Sequence, residues 1–89
     1  NGTDKKADWQ AQKAEQARIR KLENTLKKAE ERIAELEDLI ARIDEECADP
    51  ANATNSAKLG ELTGRQNEYR SELEKCYEEW EQVSMELES

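Results

Sequence analysis

Apolar residues recur at alternating steps of three and four along most of this chain, and this periodicity constrains the fold more than any other feature. The first series fills both core positions of four heptads, a and d, and comprises Ile19, Leu22, Leu26, Ala29, Ile33, Leu36, Ile40, Ile43 and Cys47. Chance rarely fills every such position in a chain that is only 35 % hydrophobic. The pattern predicts a long helix whose apolar stripe packs against a second helix.

A second series of equal length follows in the C-terminal half. It comprises Leu59, Leu62, Gln66, Tyr69, Leu73, Cys76, Trp80, Val83 and Leu87, and Gln66 is its one polar member. Two equal stripes joined by a short linker are typical of an antiparallel helical hairpin, the alternative being two helices that pair with other chains. We therefore predict an all-α fold, a two-helix antiparallel coiled-coil hairpin. Its predicted core comprises Leu22, Leu26, Ala29, Ile33, Leu36, Ile40, Ile43, Leu62, Tyr69, Leu73, Cys76, Trp80, Val83 and Leu87.

The connection between the two helices is rich in small polar residues. Proline disfavours helical geometry in the residue before it, so Pro50 predicts that the first helix ends near Ala48. Asp49 can cap a short helical turn that begins at Pro50. Either Asn55 or Ser56 can cap the second helix.

These signals divide the chain into a lead-in and a hairpin. We expect residues 1–17 to form a helical lead-in from an upstream domain. The hairpin then covers residues 18–88, with helix one to about 48, a linker of about 49–55 and helix two of about 56–88. The chain opens with Asn rather than Met, which suggests a segment of a longer protein. The one large apolar side chain of the lead-in is Trp9, which we expect to pack on a neighbouring domain.

The step pattern also predicts the register. One antiparallel alignment sets Ile43 opposite Gln66, and it places the smallest core residue, Ala29, opposite the largest, Trp80. An alignment shifted by one heptad satisfies the same pattern and remains the alternative. In either alignment Cys47 and Cys76 lie too far apart along the rod to form a disulfide within one chain.

Charge is distributed unevenly along the chain. The formal net charge is −8, yet the segment from Lys5 to Lys28 carries eight basic and three acidic residues. The segment from Glu72 to Glu88 carries seven acidic residues and one basic residue. We expect the hairpin to lay these two segments side by side. The basic residues that we predict to contact nucleic acid or another partner are Lys13, Arg18, Arg20, Lys21, Lys27 and Lys28.

Residue types and motifs that carry enzyme chemistry are scarce. The chain has no His, no Gly-rich phosphate loop and no metal-ligand spacing of Cys. Its longest apolar run, 39–41, is far too short to span a membrane. We expect no enzymatic activity, cofactor, metal site or membrane partner in this segment.

Three stretches together resemble a known family. They are ARIRKLENTLKKAEERIAELE (17–37), the Ala-Asp-Pro linker at 48–50 and LEKCYEEWEQV (73–83). They resemble the C-terminal domain of ABC-F ATP-binding cassette proteins, including the Uup-type members, and the resemblance covers roughly residues 13–88. The aromatic and acidic run of the second helix is more specific than the heptads.

The resemblance implies a cytoplasmic protein with two upstream ATP-binding domains, which would bind ATP and Mg. Members of this family act on the ribosome as translation factors, and some confer antibiotic resistance. It implies that this hairpin is a non-catalytic interaction or regulatory arm. The alternatives are a DNA- or RNA-binding coiled-coil domain of the same ATPase, although the net charge disfavours DNA, or a purely structural dimerisation hairpin.

Overall fold

The computed structural model describes residues 2–89 and consists of two antiparallel helices. Helix α1 spans Gly2–Ala48, a 3₁₀ turn spans Pro50–Asn52, and helix α2 spans Ser56–Glu88. The molecule is a rod of 79 × 17 × 14 Å. The predicted all-α two-helix hairpin is confirmed, while the first residue of the expected lead-in 1–17 lies outside the described residues.

The turn between the helices is held by two side chains that bond to the backbone. Asp49 has an extended backbone conformation, and its Oδ1 accepts the N–H of Ala51 at 2.9 Å, which caps the 3₁₀ turn. Asn52 is buried, and its Nδ2 donates to the carbonyl of Glu46 at 2.8 Å. This bond satisfies a carbonyl in the last turn of α1 that has no partner within the helix.

Helix α2 begins with a side-chain cap. The Oδ1 of Asn55 accepts the backbone N–H of Lys58 at 3.1 Å, three residues later. Of the two predicted caps, the structure therefore selects Asn55 and makes Ser56 the first helical residue.

The core is a single stripe between the helices. Its buried residues are Ala29, Leu36, Ile43, Leu62 and Val83. The other predicted core residues apart from Trp80 are half-buried: Leu22, Leu26, Ile33, Ile40, Tyr69, Leu73, Cys76 and Leu87. Two helices can cover each other along one face only, so most core side chains keep one edge in water.

Trp80 departs from the prediction that it lies in the core. Its side chain remains 39 % exposed, although Ala29 on the other helix is buried as expected. An indole ring is too large to be enclosed between two helices alone. It lies across the edge of the interface, where Nε1 donates to Glu30 Oε1 at 3.3 Å.

Hydrogen bonds across the interface fix the register. The Nε2 of Gln66 donates to the carbonyl of Ile40 at 3.1 Å and to Oδ1 of Asp44 at 2.6 Å. These two residues flank Ile43, which the prediction set opposite Gln66. The alternative alignment would place Gln66 opposite Leu36, about 10 Å further along the helix. The predicted register is therefore confirmed.

Helix α1 extends beyond the end of α2. It has 47 residues against 33 in α2, which corresponds to roughly 20 Å of additional helix at about 1.5 Å per residue. Residues 2–18 are all exposed, and the first half-buried residue of α1 is Ile19. The N-terminal part of α1 is thus a single helix without a partner helix in this chain.

This overhang corrects the expected charge pairing. Glu72 contacts Arg32, and Trp80 contacts Glu30, so the acidic segment 72–88 lies beside the middle of α1. Most of the basic segment from Lys5 to Lys28 therefore projects past it. Among residues 2–89, the one ion pair between the two helices is that of Arg32 and Glu72.

Over the described residues, neither helix contains a stretch apolar enough to cross a lipid bilayer.

Candidate functional site

Basic side chains gather on the face of α1 that points away from α2. Lys6, Lys13, Arg20 and Lys27 recur every seven residues, which returns a side chain to the same face after two turns. Lys21 and Lys28 each follow one of them and widen the stripe. We call these six residues the basic face. All six are exposed, and they occupy heptad positions b and c, which flank the outermost position, f.

The basic face carries no carboxylate of its own. The acidic residues between positions 4 and 28 of α1 are Asp4, Asp8, Glu15 and Glu23, at positions that face or flank the interface. Glu23 lies one turn from Arg20 and Lys27, and Glu31 lies one turn beyond Lys27 and Lys28. Across residues 2–89, none of the six cations of the basic face forms an ion pair. Arg20, Lys21 and Lys28 line one shallow depression of about 400 Å³. The face therefore presents unneutralised positive charge over about 32 Å of helix.

Arg18, which the sequence grouped with these cations, is placed differently. Its guanidinium donates through Nε and Nη2 to both carboxylate oxygens of Glu15, at 3.0 and 2.6 Å. This pairing lowers the pKa of Glu15 and raises the pKa of Arg18. Arg18 lies on the flank of α1 near Glu86, outside the basic face, and its contact with a partner stays a prediction. Lys6, which the sequence interpretation missed, takes its place.

Trp9 lies on the overhang and is 59 % exposed. The Nζ of Lys13 lies 4.9 Å from the centre of its ring, a cation–π contact. This contact orders both side chains at the start of the basic face. It leaves most of the indole free, and the expected contact of Trp9 with a neighbouring domain stays a prediction.

One flank of the interface is closed by an ion pair. Arg32 donates to both oxygens of Glu72, at 2.5 and 2.8 Å, and also pairs with Glu35 at 2.9 Å. Hydrogen bonding from Arg32 lowers the pKa of Glu72, and the pKa of Arg32 is raised in return.

The opposite flank carries two hydrogen bonds from aromatic side chains. Trp80 donates to Glu30, and the hydroxyl of Tyr77 donates to Glu37. This bond and partial burial raise the pKa of Tyr77, because the proton is held between the two oxygens. The two rings, together with Glu30 and Ile33, line a groove of about 350 Å³. We call it the aromatic groove; the sequence pattern did not reveal it because it assigned Trp80 to the core.

Both cysteines are free thiols. Cys47 lies at the end of α1 near the turn, and Cys76 lies within the core stripe of α2. Burial, followed by the neighbouring charge of Glu72, raises the pKa of Cys76 and keeps its thiol protonated. Within the described residues, no group of three or more acidic or thiol side chains is arranged to hold a metal ion.

Comparison with known proteins places this geometry in a family. The sequence profile of the ABC transporter C-terminal domain matches residues 12–85, which cover the turn and most of both helices. No curated protein and no solved structure gives a significant match to the chain. The match begins within the overhang and includes most of the basic face and the whole aromatic groove. The chain belongs to the ABC transporter C-terminal domain family.

Proposed function

We propose that this hairpin is a non-catalytic interaction arm of an ABC-F ATPase and that it contacts ribosomal RNA through the basic face. The family match supports an accessory domain of an ABC protein, and the quoted motifs resemble the Uup-type ABC-F members. The observation that carries the proposal is the arrangement of six unpaired cations along one exposed side of α1. In such a protein, ATP and Mg bind to the upstream domains and the arm supplies a contact.

The negative net charge does not oppose this assignment. The acidic helix α2 packs on the other side of α1, about one helix diameter of 10 Å from the basic face. This distance is comparable to the Debye length at physiological salt, about 8 Å, so solvent screens much of the repulsion. A polyanion that approaches the basic face meets lysine and arginine side chains first.

The shape of the basic face also suits a nucleic acid. An exposed helix with cations every two turns can follow a phosphate backbone without reading bases, and such contacts give affinity without sequence preference. The stripe is about as long as nine base pairs of duplex, at about 3.4 Å per base pair. Duplex DNA offers the same phosphates, and DNA binding is therefore the second candidate function.

The first test neutralises the basic face. The triple variant Lys13→Gln, Arg20→Gln and Lys27→Gln should weaken binding of the chain to ribosomes. It should also make the plot of the logarithm of the association constant against the logarithm of salt concentration less steep. The magnitude of the slope should fall by about two to three, since each lost phosphate contact lowers it by about 0.7–0.9. Binding is measured by co-sedimentation over a range of salt concentrations.

A matched triple variant on α2 is the control. Lys58→Gln, Arg70→Gln and Lys75→Gln change the net charge equally, and all three side chains are exposed outside the basic face. Binding that falls equally in both triple variants would reduce the effect to net charge and contradict the proposed site. Tighter binding to a random duplex DNA than to ribosomes would favour the second function.

The parent protein supplies the second test. Co-sedimentation of its ATP-trapped form with ribosomes is compared with and without residues 13–88. We expect ribosome binding to fall on deletion. Unchanged binding would contradict a contact role and favour regulation of the ATPase domains. A third outcome would favour the dimerisation hairpin: the apparent molecular mass of the chain rises with protein concentration, and the chain binds neither ribosomes nor DNA.

A further inference from the structure

The aromatic groove has a chemistry opposite to that of the basic face. It lies on the flank of the interface, where Tyr77 and Trp80 of α2 contact Glu37 and Glu30 of α1, respectively. Tyr77 is 46 % exposed and Trp80 is 39 % exposed, so both rings are open to solvent. Large aromatic side chains exposed next to each other are uncommon on the surface of a small domain and often mark a binding site.

The rings are held in place by carboxylates. Trp80 Nε1 donates to Glu30 at 3.3 Å, and Tyr77 Oη donates to Glu37. Each bond uses the polar edge of the ring and not its face. Ile33 is half-buried and lines the groove with them. These contacts hold both rings at the groove in the unbound chain.

The same carboxylates are without a cation. Within residues 2–89 neither Glu30 nor Glu37 forms an ion pair, and the hydrogen bonds that they accept come from uncharged donors. The groove thus combines two negative charges with two aromatic faces. Both features attract a positive charge, and both repel a phosphate.

We infer that the aromatic groove receives an arginine side chain from a basic segment of a protein partner. A planar guanidinium stacks on the indole face and still donates to carboxylates at its edge, which a lysine ammonium does less well. The volume of about 350 Å³ suits one long side chain and its apolar neighbours rather than an extended ligand. The aromatic groove borders the basic face, since Glu30 lies one helical turn from Lys27. The proposal does not depend on the basic face, because the groove consists of other residues and carries the opposite charge.

The test uses the two indole N–H signals of the chain in a ¹H–¹⁵N NMR spectrum, assigned with Trp9→Phe. The probe is the peptide acetyl-Gly-Leu-Arg-Leu-Gly-amide, and its counterpart with citrulline has the same shape without the charge. We expect a saturable shift of the Trp80 signal, an unmoved Trp9 signal, and at least about tenfold weaker binding of the citrulline peptide. Equal binding of the two peptides would overturn the proposal, as would an unmoved Trp80 signal.

Variants separate the groove from general attraction to an acidic protein. Glu30→Gln with Glu37→Gln keeps hydrogen-bond acceptors for both rings and removes both charges, so we expect the fold to persist and affinity to fall about tenfold. Glu78→Gln with Glu79→Gln removes two exposed charges elsewhere on α2 and should change affinity little. An equal loss in both pairs would contradict the inference. A Trp80 signal that shifts with chain concentration in the absence of peptide would assign the groove to a second copy instead.

Discussion

Replacing Leu36 by alanine tests the packing argument most directly. Leu36 is 0 % exposed and is the one fully buried large side chain among residues 2–89. Truncation of a buried leucine costs about 3 kcal/mol in transfer free energy and cavity formation together. A domain of this length has a free energy of unfolding of about 4–13 kcal/mol, so the variant should lose a large share of its stability.

Leu39→Ala is the matched control. Leu39 lies three residues further along α1 and is half-buried, so the same substitution should cost about 1 kcal/mol. Both changes introduce alanine into the interior of the same helix, and the gain in helix propensity therefore cancels between them. The difference of about 2 kcal/mol reports burial alone.

Urea unfolding followed by far-ultraviolet circular dichroism measures both variants. The midpoint concentration should fall clearly further for Leu36→Ala than for Leu39→Ala, with similar slopes. Equal losses, or a larger loss for Leu39→Ala, would refute the assignment of the core stripe. Leu36→Asp should unfold the hairpin entirely, because it buries an unpaired charge.

Three further predictions follow from the side chains that bridge the helices. Glu72→Gln should lower the thermal midpoint above pH 4.5, because Arg32 lowers the pKa of Glu72 in the folded chain. The difference in thermal midpoint between the variant and wild type should vanish as acid protonates Glu72. A difference that stays constant with pH would contradict the pairing. In a Tyr69→Phe chain, whose one tyrosine is Tyr77, absorbance titration should give a pKa of Tyr77 above the ordinary value of 10. Adding Glu37→Gln should lower that pKa. Gln66→Leu should raise the thermal midpoint by replacing a half-buried amide with an apolar side chain, and a lower midpoint would show that the bond to Asp44 outweighs burial.

The two surfaces have consequences for how the arm works. The basic face and the aromatic groove adjoin at Lys27 and Glu30 and attract opposite charges. If both proposals hold, one hairpin contacts a nucleic acid along α1 and a basic protein segment at the flank. The separate variants described above test each contact independently.

The sequence by itself determined the helices, their ends and their alignment. A repeat of seven requires one apolar stripe per helix, proline and asparagine place the turn by local backbone geometry, and the step pattern allows only two registers. The three stretches quoted above together indicated the C-terminal domain of an ABC-type protein, which the profile match supports.

The tertiary structure alone decided the surfaces. Burial depends on how much of a side chain one partner helix can cover, so Trp80 lies at an edge rather than in the core. The unequal lengths of the helices leave the basic segment projecting past the acidic one, and local pairing with Glu15 removes Arg18 from the basic face. The exposure of Trp80 and the overhang depend on distances between residues far apart in the chain, and the Arg18–Glu15 pair depends on the choice of side-chain rotamers. A periodic sequence pattern contains no information about such distances or rotamers.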